Sequence, residues 1–401
     1  MITNHHHEAP LAKTPHIRAP PVTMCNPFKK LTSKPTPKRP DIYIPKPPGM
    51  SGAEAFLISG PAPRKKLRVV CVSDTHNSSP KDGVFKVPPG DVLIHAGDMT
   101  NQGSYSELKR VVDWIGDCPH EVKLVIAGNH DGVTLDPEFL KEFGGNFHNQ
   151  APQSHADNLA LFTSPEAVAK GIVYLNHEFK TITLKDGRTF NVFGSPWAPK
   201  CGLWGFGYSE APSLQSSMWK GIPLDTDIMI THGPPKFHLD GPMSSSGCEH
   251  LRQAVWTVRP LLHVFGHIHQ SRGVERVRWD LNSKFVKYKE KSVTVVEDPA
   301  PDSAKQFVVD LTEKRRNALD NDGTLNGRNE TCLVNAAMVT RPWKKGTAHS
   351  ARNKAVIVDV NVHVVEQLGQ AGTGSKPEDD VEIDATTALN KDNNTGDDFS
   401  F

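Results

Sequence analysis

The chain has 401 residues, with 46 basic and 45 acidic side chains and a formal net charge of +1, so charge makes no case for nucleic-acid binding. No stretch of 18 apolar residues marks a membrane span, and six cysteines spread from Cys25 to Cys332 without a CxxC pair argue against a disulfide scaffold or a cysteine zinc site. A hydrophobic share of 37% and a mean hydropathy of −0.44 are low for a compact enzyme of this length, so part of the chain is expected not to fold.

Residues 1–65 are crowded with proline (PHIRAPPVTMCNPFKK, TPKRPDIYIPKPPG), which removes backbone donors and resists helix. They read as a disordered basic arm of the kind that SH3-like partners bind. The first residues, MITNHHHEAPLAKTPH, contain no apolar signal region, so a soluble cytoplasmic protein is expected. From residue 67 the pattern changes to short apolar runs separated by polar clusters, beginning with LRVVCVS and DVLIHAG. Runs that are apolar throughout suit strands buried on both faces. SYSELKRVVDWIGDC follows as a helix with Ser104 at its N-cap, then the strand KLVIAG. FKTITLKDGRTFNVFGS reads as a hairpin turning at Asp186-Gly187, and DIMITHG, the helix GCEHLRQAVWTV and LLHVFGH continue the alternation. Residues 283–328 are mixed and charged and read as an insertion, after which ETCLVNAAMV and KAVIVDVNV resume strand character. One α/β domain over 66–365 is expected, followed by a disordered acidic tail at 366–401 (KPEDDVEIDATTALNKDNNTGDDFSF).

The chemistry lies where the runs end. Five of them finish in groups that bind metals: Asp74-Thr-His76, Gly97-Asp98, Gly128-Asn129-His130-Asp131, His232-Gly-Pro and His267-Ile-His269. In open α/β sheets, ligand sites lie outside the carboxyl ends of the strands, so these five segments are expected to converge. Their donors are carboxylate, amide oxygen and imidazole with no thiolate, which suits manganese, iron or zinc. Asp74, His76, Asp98, Asn129, His232, His267 and His269 are too many for one ion. They fill two sites if a carboxylate bridges, and Asp98 is the choice for that bridge, with a bridging hydroxide as nucleophile.

SDTHN, GDMT, GNHD, THGPP and GHIH, in this order, resemble the signature blocks of calcineurin-like metallophosphoesterases. PPGDVLIHAGD, FGSPWAPKCGLWGFGY, THGPPKFHLDG, GCEHL and RPLLHVFGHIHQSRG are similar to the metallophosphodiesterase-domain branch of that superfamily, over roughly 67–280 and 328–362. The resemblance implies a four-layer α/β/β/α sandwich on two mixed sheets. It also implies one divalent ion on Asp74, His76, Asp98 and His269, and a second on Asp98, Asn129, His232 and His267. Manganese comes first, with iron or zinc as alternatives. His130 would act at the leaving group, and the substrate would be a small phosphate ester or nucleotide, most readily a diester.

Protein serine/threonine phosphatases of the superfamily extend the Asp98 block to GDxVDRG, whereas here Asn101 and Gln102 stand in the last charged places. A protein phosphatase is therefore the second reading, and a weakly catalytic nucleotide-binding or interaction protein the third. Asn101 is a candidate to orient His130 by accepting a hydrogen bond, Asp131 to support the site, and Asp240 to orient a ligand histidine. His95 and His263, inside their strands, are expected to be packing or supporting groups. Trp197, Trp204 and Phe206 are expected to pack a loop rather than wall a substrate pocket, and substrate-binding residues are not identified.

Overall fold

Along the apolar runs, successive side chains enter different cores. Val69 and Cys71 point one way and Val70 and Val72 the other, as do Ile94 against Leu93, and Leu124 and Ile126 against Val125. The computed structural model describes residues 64–208, 217–241, 246–282, 288–301, 303, 305–312, 328–339 and 352–365. Apart from the strand-forming Arg64 and Lys65, the basic arm with its SH3-like partner, and the acidic tail, lie outside the described residues.

In chain order come β1 (Arg64–Val72), β2 (Val92–Ala96), α1 (Tyr105–Asp117), β3 (Val122–Ile126), α2 (Gly132–Leu135), α3 (Pro137–His148), α4 (His155–Thr163), α5 (Pro165–Ala169) and β4 (Ile172–Tyr174). The hairpin strands β5 (Glu178–Thr183) and β6 (Arg188–Ser195) follow, then β7 (Ala198–Pro199), β8 (Gly207–Tyr208) and β9 (Ile228–Thr231). The remainder is α6 (Glu249–Val258), β10 (Leu262–Phe265), β11 (Gly273–Asp280), β12 (Lys289–Val295), β13 (Phe307–Asp310), β14 (Glu330–Asn335) and β15 (Val356–Val364).

The expected layers are present, but the strands form one continuous 13-stranded sheet where two mixed sheets were expected. β1 to β4 run parallel, as do β6, β9, β10 and β14, and a shared core lies between these two groups. A second core packs α1, α4 and α5 on the outer face of the first group, and a third packs α6 on the outer face of the other. Antiparallel β15 joins the groups: it pairs with β1 along its length and with β6 through His363 and Val364, so the pairing is continuous. Ser104 caps α1 as expected. Its side chain accepts from Glu107 N, and the Glu107 carboxylate accepts from Ser104 N. No described helix is long and apolar enough to cross a membrane.

The stretch read as an insertion is partly core. β12 pairs with β11, and β13 pairs with β15 and buries Phe307 and Val309 in the shared core. Only two apolar side chains face inward from β13, so the surrounding charge hides the alternation. β12, largely exposed, adds ion pairs to its pairing with β11. His238 lies between Glu275 of β11 (2.9 Å) and Glu290 of β12 (3.1 Å), and Arg252 of α6 grips the same Glu290.

Burial works against the His238 cation, but the two carboxylates outweigh it and hold the pKa above the ordinary 6.5. A group raised in the folded state stabilises in full below its unfolded value and loses that contribution as pH rises through the folded one. His238→Gln is therefore expected to cost roughly 1.5–3 kcal/mol in mildly acidic solution, with the gap in Tm from wild type closing as pH rises. Thermal melts across that range check this, and a gap that widens with pH would contradict it.

Candidate metal centre

Each metal-capable segment begins within three residues of a strand end: Asp74 after β1, Asp98 after β2, Asn129 after β3, His232 after β9 and His267 after β10. The loops are laced together by backbone bonds, Asp74 N to Gly97 O (2.8 Å), His76 N to Asp98 O (3.1 Å) and Gly266 N to His232 O (3.0 Å). This close approach bends the chain into the left-handed region at Asp74 (φ 53°), His76 (φ 41°), Asp98 (φ 51°) and His267 (φ 68°). Such conformations cost about 1–3 kcal/mol each in non-glycine residues, and they cluster here at the site. Two glycines allow the contact. A Cβ on Gly128 would lie 2.3 Å from both Asp98 N and Asp98 Oδ1, and one on Gly266 would lie 2.0 Å from Asp74 Oδ2.

The seven predicted ligands converge. Asp74, His76, Asp98 and His269 bring donor atoms within 4.8 Å of one another, and Asp98, His232 and His267 do the same. Asn129 joins the second group, its Oδ1 standing 2.9 Å from His232 Nε2. Asp98 belongs to both, with Oδ1 3.4 Å from His232 Nε2 and Oδ2 3.8 Å from His76 Nε2. Carbonyl groups fix two of the rings. His76 Nδ1 donates to Thr100 O (3.1 Å) and His232 Nδ1 to Ala96 O (2.9 Å), so each ring turns its Nε2 toward the carboxylates. The backbone N–H of His267 donates to both oxygens of Asp74, and that of His130 to Asp98 Oδ1.

The donor set fits divalent ions. Burial pushes His76 down to about 3 and His267 to about 4, which keeps both as the neutral imidazoles that ligate metals. Burial would raise Asp74, but the His269 imidazole outweighs it and holds the carboxyl at about 2. Burial opposes a charge on His232 as well, yet Asp98 draws it up to about 9.

The supporting residues divide. Asp131 accepts from Met99 N (3.1 Å), Thr100 N (2.9 Å), Thr100 Oγ1 (2.6 Å) and Gly128 N (2.9 Å), tying the Asp98 loop to the Asn129 loop. Asn101 does hold His130, but through its backbone: His130 Nδ1 donates to Asn101 O at 2.7 Å. Asp240 orients no ligand histidine in its described contacts. Its Oδ2 accepts from Phe237 N and Gly247 N, closing the loop before α6, which corrects the role expected for it. His95 and His263 are buried supports, with Nε2 on Thr75 Oγ1 (2.9 Å) and on Thr231 Oγ1 (2.8 Å). Trp197 and Phe206 pack edge to face as expected of loop residues, but Trp204 stacks on His130 at 3.8 Å.

Glu107 is the residue sequence reasoning missed. Besides Ser104 N it accepts from Asn77 Nδ2, Asn101 N and Gln102 N, so the capping box of α1 also anchors the metal loops. The only sequence signal for it is the capping pattern Ser-x-x-Glu itself.

A family model described as calcineurin-like phosphoesterase matches residues 67–271, more than half of the chain. Metallophosphoesterase domain-containing protein 1 of human and of mouse is 38% identical over 232 residues, covering 57% of this chain and 68% of the relative. A protein named probable rhamnogalacturonate lyase C, from Emericella nidulans, is 44% identical over 217 residues. These are 54% of this chain but only 18% of that protein, so the match spans less than a fifth of its length. Among solved structures, the purple acid phosphatase PPD1 of yellow lupin seeds aligns with 68% of this chain and 44% of its own, at 12% identity and a TM-score of 0.32.

Proposed function

The chain belongs to the calcineurin-like phosphoesterase family, and on that footing we propose that it is a binuclear metal-dependent hydrolase of phosphate esters, with diesters as its better substrates. The observation that carries the proposal is Asp98, a buried carboxylate shared by two complete donor sets. When bound, two divalent ions, manganese first, supply charge neutralisation for the phosphoryl oxygens and acidify a water for attack. The chain's own groups do the rest. Asp131 and Glu107 hold the loops in register, the carbonyl groups of Ala96 and Thr100 fix the histidine tautomers, and His130 stands beside the centre to protonate the leaving oxygen.

A protein-phosphatase reading is weaker, because His130 is held by a backbone carbonyl where that subgroup supplies a carboxylate side chain. The test is to assay the purified full-length chain with Mn²⁺ on bis-p-nitrophenyl phosphate, p-nitrophenyl phosphate, 2′,3′- and 3′,5′-cyclic nucleotides and a phosphopeptide. Higher kcat/KM on the diesters is expected. Preference for the monoester or the phosphopeptide would overturn the diester reading.

A further inference from the structure

Trp204 lies outside both donor sets, yet it is joined to the site more tightly than a loop side chain needs to be. Its indole stacks on the His130 imidazole, with centroids 3.8 Å apart and planes 29° apart, while Phe147 of α3 leans against it at 5.3 Å. The loop carrying it is fastened to the His130 loop itself, with Gly205 N donating to Asn129 O at 3.2 Å. A Cβ on Gly205 would come within 2.3 Å of the Gly132 backbone, so the two loops touch main chain to main chain. Phe206 N donates to Asp136 Oδ2 (2.9 Å), which anchors the other side of the tryptophan.

We infer that Trp204 is a positioning residue for His130. Three described contacts bear on the ring. Asn101 O binds Nδ1, His76 meets its edge at a centroid distance of 4.8 Å and an angle of 84°, and Trp204 covers one face. The hydrogen bond at Nδ1 restrains one atom of the ring rather than its plane. The flat indole restrains the plane by packing against it, and so helps hold Nε2, on the far edge of the ring, in one direction. A group that passes a proton to a leaving oxygen works only within hydrogen-bond reach, and a misplacement of about 1 Å can cost on the order of 10²-fold. The inference rests on the hydrolase reading of the site, in which His130 serves the leaving group.

The experiment compares wild type, Trp204→Leu and Trp204→Phe as full-length protein with Mn²⁺. One substrate is bis-p-nitrophenyl phosphate, whose p-nitrophenolate leaves without a proton, and the other is a 3′,5′-cyclic nucleotide, whose ribose oxygen needs one. Trp204→Leu is expected to lower kcat on the cyclic nucleotide about 10- to 100-fold, with KM little changed and less than about a 3-fold loss on the aryl ester. Trp204→Phe, which keeps a ring face, is expected to restore most of that activity.

A readout that needs no turnover is the NMR signal of the His130 ring protons in protein without Mn²⁺, whose paramagnetism would broaden it. The indole current should shift them upfield in wild type and not in Trp204→Leu. Equal losses on both substrates, no loss on either, or an unshifted wild-type signal would each overturn the inference. An inactive wild type with the shift intact would count against the hydrolase reading, and the positioning role would fall with it. An active wild type with an indifferent Trp204→Leu would count against Trp204 alone.

Discussion

Asp98→Asn is expected to lower kcat on a phosphodiester by about 10³-fold or more while the chain stays folded. The substitution keeps the size of the side chain and an oxygen for the His130 N–H, which sits 2.9 Å from Oδ1. What it removes is the negative charge that both donor sets share. Two divalent ions at the roughly 3.5–4 Å spacing usual in binuclear hydrolases repel by about 17–19 kcal/mol at an effective dielectric near 20. An amide offsets little of that. Wild-type protein should gain stability with added Mn²⁺, by about 4 kcal/mol at a thousand-fold excess over Kd, and Asp98→Asn should gain much less. Thermal melts with and without the metal, run beside the assay, check both halves. A variant that melts at the wild-type temperature yet keeps its activity would be inconsistent with Asp98 as the shared ligand.

Gly128→Ala should do comparable damage with a single methyl group. Its Cβ would stand 2.3 Å from Asp98 N and Oδ1 and 2.6 Å from His232 Cε1, all parts of the interlocked loops that cannot swing aside cheaply. Overpacking of this kind costs about 1–3 kcal/mol, and because the atoms displaced belong to the shared carboxylate and a ligand ring, activity should fall about 10²-fold or more. Gly145→Ala is the control. Gly145 lies exposed within α3 with nothing within 4 Å of the added Cβ, so alanine there should stabilise by roughly 0.5–1 kcal/mol through helix propensity and leave turnover unchanged. Denaturant melts and steady-state rates on the two variants separate a local clash from a general intolerance of alanine.

The ligands were legible in the sequence because each is announced by its position. A continuous apolar run ends, and a carboxylate, amide or imidazole follows within three residues, as at Asp74, Asp98, Asn129, His232 and His267. The residues between those ends carry no such mark. Backbone carbonyls leave no trace in residue identity, so the Asn101 oxygen that binds His130, and the Ala96 and Thr100 oxygens that set two ligand tautomers, belong to residues whose side chains say nothing about it. Asp240 departs from its expected role for the converse reason. An acidic residue beside a ligand block has the right chemistry to orient a histidine, yet its carboxylate is taken up by the backbone of its own loop. β12 and β13 carry little sequence signal, because one is an exposed edge held by Glu290 and the other buries only Phe307 and Val309. Trp204 belongs to an aromatic stretch that reads as loop packing, and its contact with His130 depends on the main-chain approach of Gly205 to Gly132, which only the folded chain contains.

The measurement that tests the account most directly is the metal content of the purified chain, titrated with Mn²⁺ while diester hydrolysis is followed in the same samples. The account predicts that wild type takes up two ions per chain, that turnover rises with the filling of the second, and that Asp98→Asn loses both. Full turnover with less than one ion per chain, or hydrolysis that survives in Asp98→Asn, would contradict it.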